Sequence, residues 1–453
     1  MAEQTKVKTL EKVVIRFSGD SGDGMQLTGT IFSNLSAVFG NEISTFPDYP
    51  AEVRAPQGTL SGVSGFQVHL GSRKIFTPGD KADVLVAMNP AALKVNVKHL
   101  KPNAIVLIDT DSFKKSDLDK ALFTTDDPFT ELGLTGVQVV AAPISTMVKD
   151  GLVEFGLDNK SALRCKNMFA LGLVCWLFER PLEEAMHMLQ NKFAKKPVIA
   201  QANIKALTDG YNYGNNIHAS VSTYRIESKK AEPGFYTDVN GNKATSAAEK
   251  AGLQLFLGSY PITPATDILH ELSKRKDLGV ITVQAEDEIA GICTSIGASF
   301  AGCLAATSTS GPGLALKSEA IGLAVIAELP LVIIDVQRGG PSTGLPTKSE
   351  QTDLMQALYG RNGESPAVVI AASTPTDCFD AAFWAGKLAV EHMTPVILLT
   401  DAFIANGSSA WRIPEMDKYP EIKPNYVANY QDEKVWKAYR RNKESLVRYW
   451  AIP

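Results

Sequence analysis

The chain has 453 residues, of which 45% are hydrophobic and 21% charged, with a formal net charge of −4. That length exceeds one ordinary hydrophobic core and predicts two or three folded domains, and the composition excludes a disordered or collagen-like chain. Lysines and arginines are scattered without a run, which excludes the basic stripe of a nucleic-acid binder.

The longest apolar stretch, residues 321–336, is interrupted by Glu328 and Pro330 and falls short of the ~20 residues that span a bilayer. The N-terminus, MAEQTKVKTLEK, holds no apolar signal core, so a cytoplasmic location is expected. Five cysteines (Cys165, Cys175, Cys293, Cys303 and Cys378) form no C-x-x-C pair and the histidines are dispersed, so no metal site is expected in the chain itself.

Residues 13–17 (VVIRF) predict a strand, residues 18–24 (SGDSGDG) a glycine-rich loop and residues 25–40 (MQLTGTIFSNLSAVFG) a helix. Further strands are predicted at 65–70, 83–88, 104–109 and 137–142, with helices from 159 to about 213. Residues 1–215 therefore read as an α/β domain with a helical end. Residues 216–244, polar and glycine-rich with a Pro-Gly pair, read as a linker.

A second alternation follows. Helices are predicted at 245–257, 265–275, 288–301, 314–327 and 375–391, and strands at 279–284, 303–308, 331–336, 367–372 and 395–400. Val/Ile-rich strands alternating with helices imply a doubly wound parallel sheet, here over 245–410. Residues 411–453 form a charged, aromatic extension without a clean strand pattern.

In such sheets ligands lie beyond the carboxyl ends of the strands. After 279–284 comes QAEDEIAGICTSIGASFAG. Glu286 and Asp287 read as capping or dipole-facing acids. Glu288, beside Ile289, Ala290 and Ile292, is expected to be poorly hydrated and suited to share a proton with a ring nitrogen. Gly291, Gly297 and Ala298 leave room on the same helix for a flat ligand or another backbone.

In the loop YPITP, Pro261 and Pro264 hold Thr263 rigidly. Arg338 follows a buried strand and is flanked by the glycines Gly339 and Gly340, and its planar fork suits a carboxylate; a strand-end salt bridge is the alternative. Ser310-Gly-Pro-Gly opens a helix that suits an anion or is capped by Ser310. Lys348 reads as a group for a distal carboxylate or as an exposed lysine.

Taken together, YPITP, EDEIAGICTSIGASFAG, TSTSGPGL and QRGGPSTGLPTKSEQTDL resemble the α subunit of the 2-oxoacid:ferredoxin oxidoreductases. The resemblance is to the form with a γ domain fused at its N-terminus, as in 2-oxoglutarate:ferredoxin oxidoreductases, and spans roughly 13–410. It implies two doubly wound α/β domains, an N-terminal γ-type domain associated with coenzyme A and a second that binds the pyrimidine of thiamine diphosphate.

By resemblance, Glu288, nine residues before Gly297, is the acid at the pyrimidine N1′. Thr263 and Arg338 join it as catalytic and substrate-binding groups, and Thr347 lies on the substrate side. Thr309, Ser310 and Gly311 are expected on the thiamine side. Gly19, Gly22, Asp23 and Gly24 are expected against coenzyme A through backbone amides. Tyr49, Glu52 and Arg54 resemble a loop of the same domain.

Gly22-Asp23-Gly24 mimics the start of the diphosphate and magnesium motif of thiamine enzymes, but residues 46–54 (FPDYPAEVR) lack the asparagine that motif requires. The resemblance thus places the diphosphate site, Mg2+ and a [4Fe-4S] cluster on a partner β subunit, in a heterodimer or heterotetramer that passes electrons to ferredoxin. Family α chains usually continue past a WAIP-like segment, where this sequence ends. The expected reaction is CoA-dependent, reversible oxidative decarboxylation of a 2-oxoacid, foremost 2-oxoglutarate. A non-oxidative thiamine-dependent decarboxylase subunit and a non-catalytic CoA- or nucleotide-binding module are the alternatives.

Overall fold

The computed structural model describes residues 7–50, 55–134, 136–217, 223–229, 232–247, 253–425, 437, 439–441, 443–444 and 446–449. The chain divides into two compact units, Met1–Asp238 and Val239–Pro453.

In the first unit, β1 (Lys12–Asp20) leads through the glycine-rich loop into α1 (Met25–Val38), followed by β2 (Glu42–Asp48), β3 (Val63–Gly71), β4 (Ala82–Ala87), β5 (Leu100–Asp109) and β6 (Gln138–Ala142). These strands lie in the order β6-β5-β4-β1-β3-β2. β1, β4, β5 and β6 are parallel, whereas β3 is antiparallel to both β1 and β2. Runs such as Val13–Phe17 and Val84–Met88 are buried throughout, as strands covered on both faces require. The helical end contains α2 (Lys166–Leu177), buried from Asn167 to Leu177 and packed on α3 (Pro197–Asn216). β2 was not anticipated: Ser44, Thr45 and Pro47 hide its strand character, and it forms by pairing with β3.

The second unit comprises β7 (Leu255–Ser259), α4 (Thr266–Ser273), β8 (Ile281–Gln284), α5 (Glu288–Phe300), β9 (Leu304–Thr309), α6 (Gly311–Leu316), α7 (Ser318–Ile326), β10 (Leu331–Gln337), α8 (Leu354–Tyr359), β11 (Val368–Ala371), α9 (Asp377–His392) and β12 (Pro395–Asp401). All six strands are parallel, in the order β8-β7-β9-β10-β12-β11. Apolar clusters cover both faces, one around Leu257, Val336 and Leu398 and the other around Ile292, Ile333 and Ile397. The chain leaves β7 toward β8 on one side and returns to β9 on the other. That reversal opens a crevice at the carboxyl ends of β7 and β9, the usual ligand position in this architecture.

Three local readings change. The helix expected over 245–257 is a helix at Gly241–Ala247 and the strand β7, because a short apolar run such as LFLGS is compatible with either state until it finds sheet neighbours. The helix expected over 314–327 breaks at Lys317 into α6 and α7. The segment expected to be a linker contains short strands at Tyr224–Ile226 and Tyr236–Asn240. In the extension, the described residues begin with a strand, Ser408–Arg412, while 426–436 and the WAIP segment lie outside them.

Candidate active site

Asp287 accepts a hydrogen bond from the Ala290 amide at 2.7 Å and so caps α5. The cap fixes Glu288 in the first helical turn, where the helix dipole favours a carboxylate. Glu288 is 9% exposed; of its helix neighbours, Ile292 is buried and Ile289 is exposed. The cover comes from the first turn of α6. A Cβ on Gly313 would stand 2.8 Å from Glu288 Cγ and 1.9 Å from Thr309 Oγ1, so only glycine lets this turn lie against the acid. Gly297 faces open space on the same helix, whereas Gly291 lies against the backbone of Ser259.

Lys317, at the break between α6 and α7, is completely buried, and its Nζ donates to the backbone carbonyl of Glu288 at 2.6 Å. Burial pushes its ammonium group down to about 8, opposed by the nearby charges of Glu288 and Asp287.

Arg338 follows β10 and is 7% exposed. Its Nη1 donates to the Thr263 carbonyl at 2.7 Å and its Nη2 to the Thr343 carbonyl at 2.8 Å. The guanidinium is therefore not left uncovered by its flanking glycines; it clasps the YPITP loop to the segment after β10. Its buried Nε reaches no acceptor among the described residues. Burial lowers its pKa from the ordinary arginine value, opposed by Glu288.

The segment after β10 folds back at once: the Leu345 amide donates to the Gly339 carbonyl at 2.8 Å and the Gly339 amide to the Lys348 carbonyl at 2.8 Å. Gly344 makes this possible, with φ +53° and a Cβ position that would lie 1.9 Å from the Gly339 oxygen. Thr263 is exposed in its loop, and Thr347 and Lys348 are half-buried in this fold-back.

Glu288, Thr263 and Arg338 thus belong to one cluster at the carboxyl edge of the sheet. Both neighbouring cations donate to backbone carbonyls, and among the described residues no hydrogen bond reaches the Glu288 carboxyl. An acid fixed in the first helical turn, largely buried and left without a protein donor is poised for an external partner.

Thr309 and Ser310 are completely buried and Gly311 is also buried, so these residues form the floor of the cluster. Ser310 occupies the N-cap of α6 without a capping hydrogen bond from its side chain, and its hydroxyl reaches no partner among the described residues.

In the first unit, the expected coenzyme A loop is tied inward. The Ser21 amide donates to Gly62, and the Gly22 and Asp23 amides both donate to the Asp20 carbonyl, at 2.7 and 3.0 Å. Asp23 accepts from the Asp20 amide at 2.9 Å and pairs with Lys166 at 3.0 Å. Asp20 accepts from the Gly58 amide, and its pKa is raised by burial and by the charge of Asp23. Gly24, at φ +75°, then starts α1. The Gly22 and Asp23 amides are thus spent within the loop, while the first amides of α1, those of the helix start, lack intrahelical partners. Gly19 packs against Asp23 and Tyr49 is exposed, whereas Glu52 and Arg54 lie outside the described residues.

Sequence reasoning missed three groups beside the cluster. Lys317 carried a signal, a lone cation inside GLALKSEAIGLA. Asp335 carried one as well, a lone acid inside the apolar run LVIIDVQ. Its partner Asp353 lies eighteen positions on and had no local signal.

The unpaired Glu288 carboxyl, the Gly313 cradle and the unpartnered Arg338 Nε fit a flat, protonatable heterocycle beside the acid and an anionic group beside the guanidinium. The comparisons agree. Residues 246–445 match the thiamine-diphosphate-binding family of pyruvate flavodoxin/ferredoxin oxidoreductases, and residues 14–213 match the pyruvate ferredoxin/flavodoxin oxidoreductase family. The 2-oxoglutarate oxidoreductase subunit KorA of Mycobacterium tuberculosis is 52% identical over 449 residues, covering 98% of this chain and 68% of that protein. The 2-oxoglutarate synthase subunit KorA of Archaeoglobus fulgidus is 41% identical over 194 residues, 42% of this chain and 56% of that protein. The structure of 2-oxoglutarate:ferredoxin oxidoreductase from Magnetococcus marinus, with 2-oxoglutarate, coenzyme A and succinyl-CoA bound, superposes with a TM-score of 0.81 at 32% identity, covering 98% of this chain and 72% of that one. The chain belongs to the KorA-type α subunits of the 2-oxoacid:ferredoxin oxidoreductases.

Proposed function

We propose that this chain supplies the pyrimidine-side acid and the 2-oxoacid carboxylate site of a CoA-dependent 2-oxoglutarate:ferredoxin oxidoreductase. The reaction cleaves the bond between the carboxylate and keto carbons of 2-oxoglutarate, releases carbon dioxide, forms the thioester of succinyl-CoA and delivers two electrons, singly, to ferredoxin. The observation that carries this reading is the Glu288 carboxyl, fixed in the first turn of α5 with no hydrogen-bond partner among the described residues.

Thiamine diphosphate, when bound, supplies the carbon nucleophile and electron sink that decarboxylation needs. Glu288 would hold a proton at the pyrimidine N1′. Arg338 would take the substrate's 1-carboxylate through its free N–H groups while its other two donors keep Thr263 and the fold-back in place. Thr263 and Thr347 would contact substrate through their hydroxyls, and Thr309, Ser310 and Gly311 would form the floor beneath the thiamine.

Residues 1–215 are proposed as the γ-type domain and 245–410 as the pyrimidine-binding domain, with coenzyme A near Gly19–Gly24. The β subunit would bring the diphosphate site, Mg2+ and the [4Fe-4S] cluster, and the complex would work in the cytoplasm. Among the described residues no helix is long and apolar enough to cross a membrane.

The test is 2-oxoglutarate-dependent viologen reduction by the complex co-purified with its β subunit. Glu288→Gln keeps the shape and removes the titrating group, so kcat should fall by about 10²–10⁴-fold. Wild-type turnover in E288Q would sink the reading.

A further inference from the structure

β10 carries one acid, Asp335, which is completely buried between Thr309 of β9 and Leu399 of β12. Asp353 stands before α8 but does not cap it with its side chain. Its carboxyl turns inward into hydrogen-bond contact with Asp335 and packs against Gly311, where a Cβ would lie 2.6 Å from Asp353 Oδ2. Neither oxygen of Asp335, nor Oδ2 of Asp353, reaches a donor among the described residues.

Two carboxylates in contact, one of them fully buried, disfavour double ionisation, and one proton between them converts orphaned acceptors into a hydrogen bond. Burial raises Asp335 well above the ordinary carboxylate range, with Asp353 adding to the effect; burial also raises Asp353, the hydrogen bond with Asp335 opposes that rise, and Glu350 adds to it. The next acid along this edge, Asp401, is satisfied differently, by Gln351 Nε2 at 2.7 Å and by the amides of Phe403 and Ile404.

The place of the pair gives it a role. The segment that leaves β10 at Arg338 returns to the same strand at Asp353, whose amide donates to Gln337 Oε1 at 2.9 Å. The segment between, which includes Thr343, whose carbonyl accepts from the Arg338 guanidinium, is anchored at this return point as well as by Gln351 on Asp401.

We infer that Asp335 and Asp353 share one proton, and that this shared hydrogen bond is a positioning device that holds the Arg338–Asp353 segment in its substrate-binding form. The inference rests on the reading of Arg338 as the carboxylate-binding group. Loss of the proton sets two negative charges against each other and loosens the segment, so 2-oxoacid binding weakens as pH rises while bound substrate is still turned over.

The test has two independent arms. In the complex with its β subunit, KM for 2-oxoglutarate should rise with pH through the alkaline range, with kcat much less affected. Asp335→Asn keeps the contact by donating an amide hydrogen to Asp353 and should flatten that rise; Asp335→Ala and Asp353→Ala should raise KM at least tenfold at neutral pH. In the full chain alone, infrared spectra at neutral pH should show the carbonyl band of a protonated carboxylic acid, absent in D335N. The inference is overturned if the alanine variants keep the wild-type KM, if the D335N profile superimposes on wild type, or if D335N leaves the band unchanged. A complex with no activity toward any 2-oxoacid overturns the functional reading instead, and the infrared arm then decides the shared proton by itself.

Discussion

Lys317 gives its buried ammonium group to the backbone carbonyl of Glu288 at 2.6 Å. The bond joins the break between α6 and α7 to the first turn of α5, so the backbone that carries the acid is held from below. Lys317→Met should keep the fold but lower 2-oxoglutarate turnover about tenfold, the cost of one charge-assisted hydrogen bond of ~1.5 kcal/mol.

The same lysine makes a pH prediction. Its value in the folded chain, about 8, lies below the ordinary 10.5. Between those values the unfolded chain binds the proton that the folded chain has released, so stability rises with pH across this window. Urea denaturation of wild type and K317M at pH 7, 8.5 and 10 checks it: the wild-type stability relative to K317M should climb from pH 8 upward, and parallel curves would refute it.

Arg338 should tolerate no conservative change. Lysine offers one compact ammonium in place of a planar fork that reaches Thr263 and Thr343 together. Arg338→Lys leaves at least one of those carbonyls without its donor and removes the bidentate site. A loss of about 2–3 kcal/mol, or roughly 10²-fold in kcat/KM, is expected, mainly as a higher KM for 2-oxoglutarate. Steady-state kinetics with 2-oxoglutarate and CoA varied separately would show whether the KM for CoA stays constant, as this account requires.

Much of this edge was legible because its residues carry their meaning locally. Val/Ile runs announced β10 and β12, and YPITP, SGPG and QRGGPSTG announced the loops that follow strands. What stayed hidden depends on partners distant in sequence. Lys317 in isolation looks like an exposed helical lysine, and only the packing of α6 against α5 buries it. Arg338 looked uncovered beside Gly339-Gly340, but its cover comes from a carbonyl 75 positions away. Asp353 carries no local signal, and only the fold-back delivers it to Asp335. β2 and β7 were obscured in the same way, since each takes its strand form from neighbours in the sheet.

The fold-back itself can be tested through Gly344. Its φ of +53° is strained for other residues, and a Cβ would meet the Gly339 backbone oxygen at 1.9 Å, an atom that cannot rotate away. Gly344→Ala should therefore destabilise the segment by about 1–3 kcal/mol. The strain is confined to the turn, so the global melting temperature should move little while KM for 2-oxoglutarate rises several-fold. Protease sensitivity mapped to residues 339–348 gives the direct readout.

Asp23 distinguishes the two units functionally. Its carboxyl accepts the Asp20 amide and pairs with Lys166, and by its charge it helps to raise the Asp20 pKa. Asp23→Asn keeps the hydrogen bond to the amide and removes the charge, so Asp20 should titrate closer to the ordinary carboxylate value. Asp20 has a raised folded value, so its contribution to stability is present below the unfolded value and is lost as pH rises through the folded one; D23N should shrink that decline. If coenzyme A binds at this loop, a less anionic edge at the start of α1 should also favour its phosphates, and KM for CoA should fall in D23N while KM for 2-oxoglutarate does not change. An altered KM for 2-oxoglutarate with CoA unaffected would place the loop's role elsewhere.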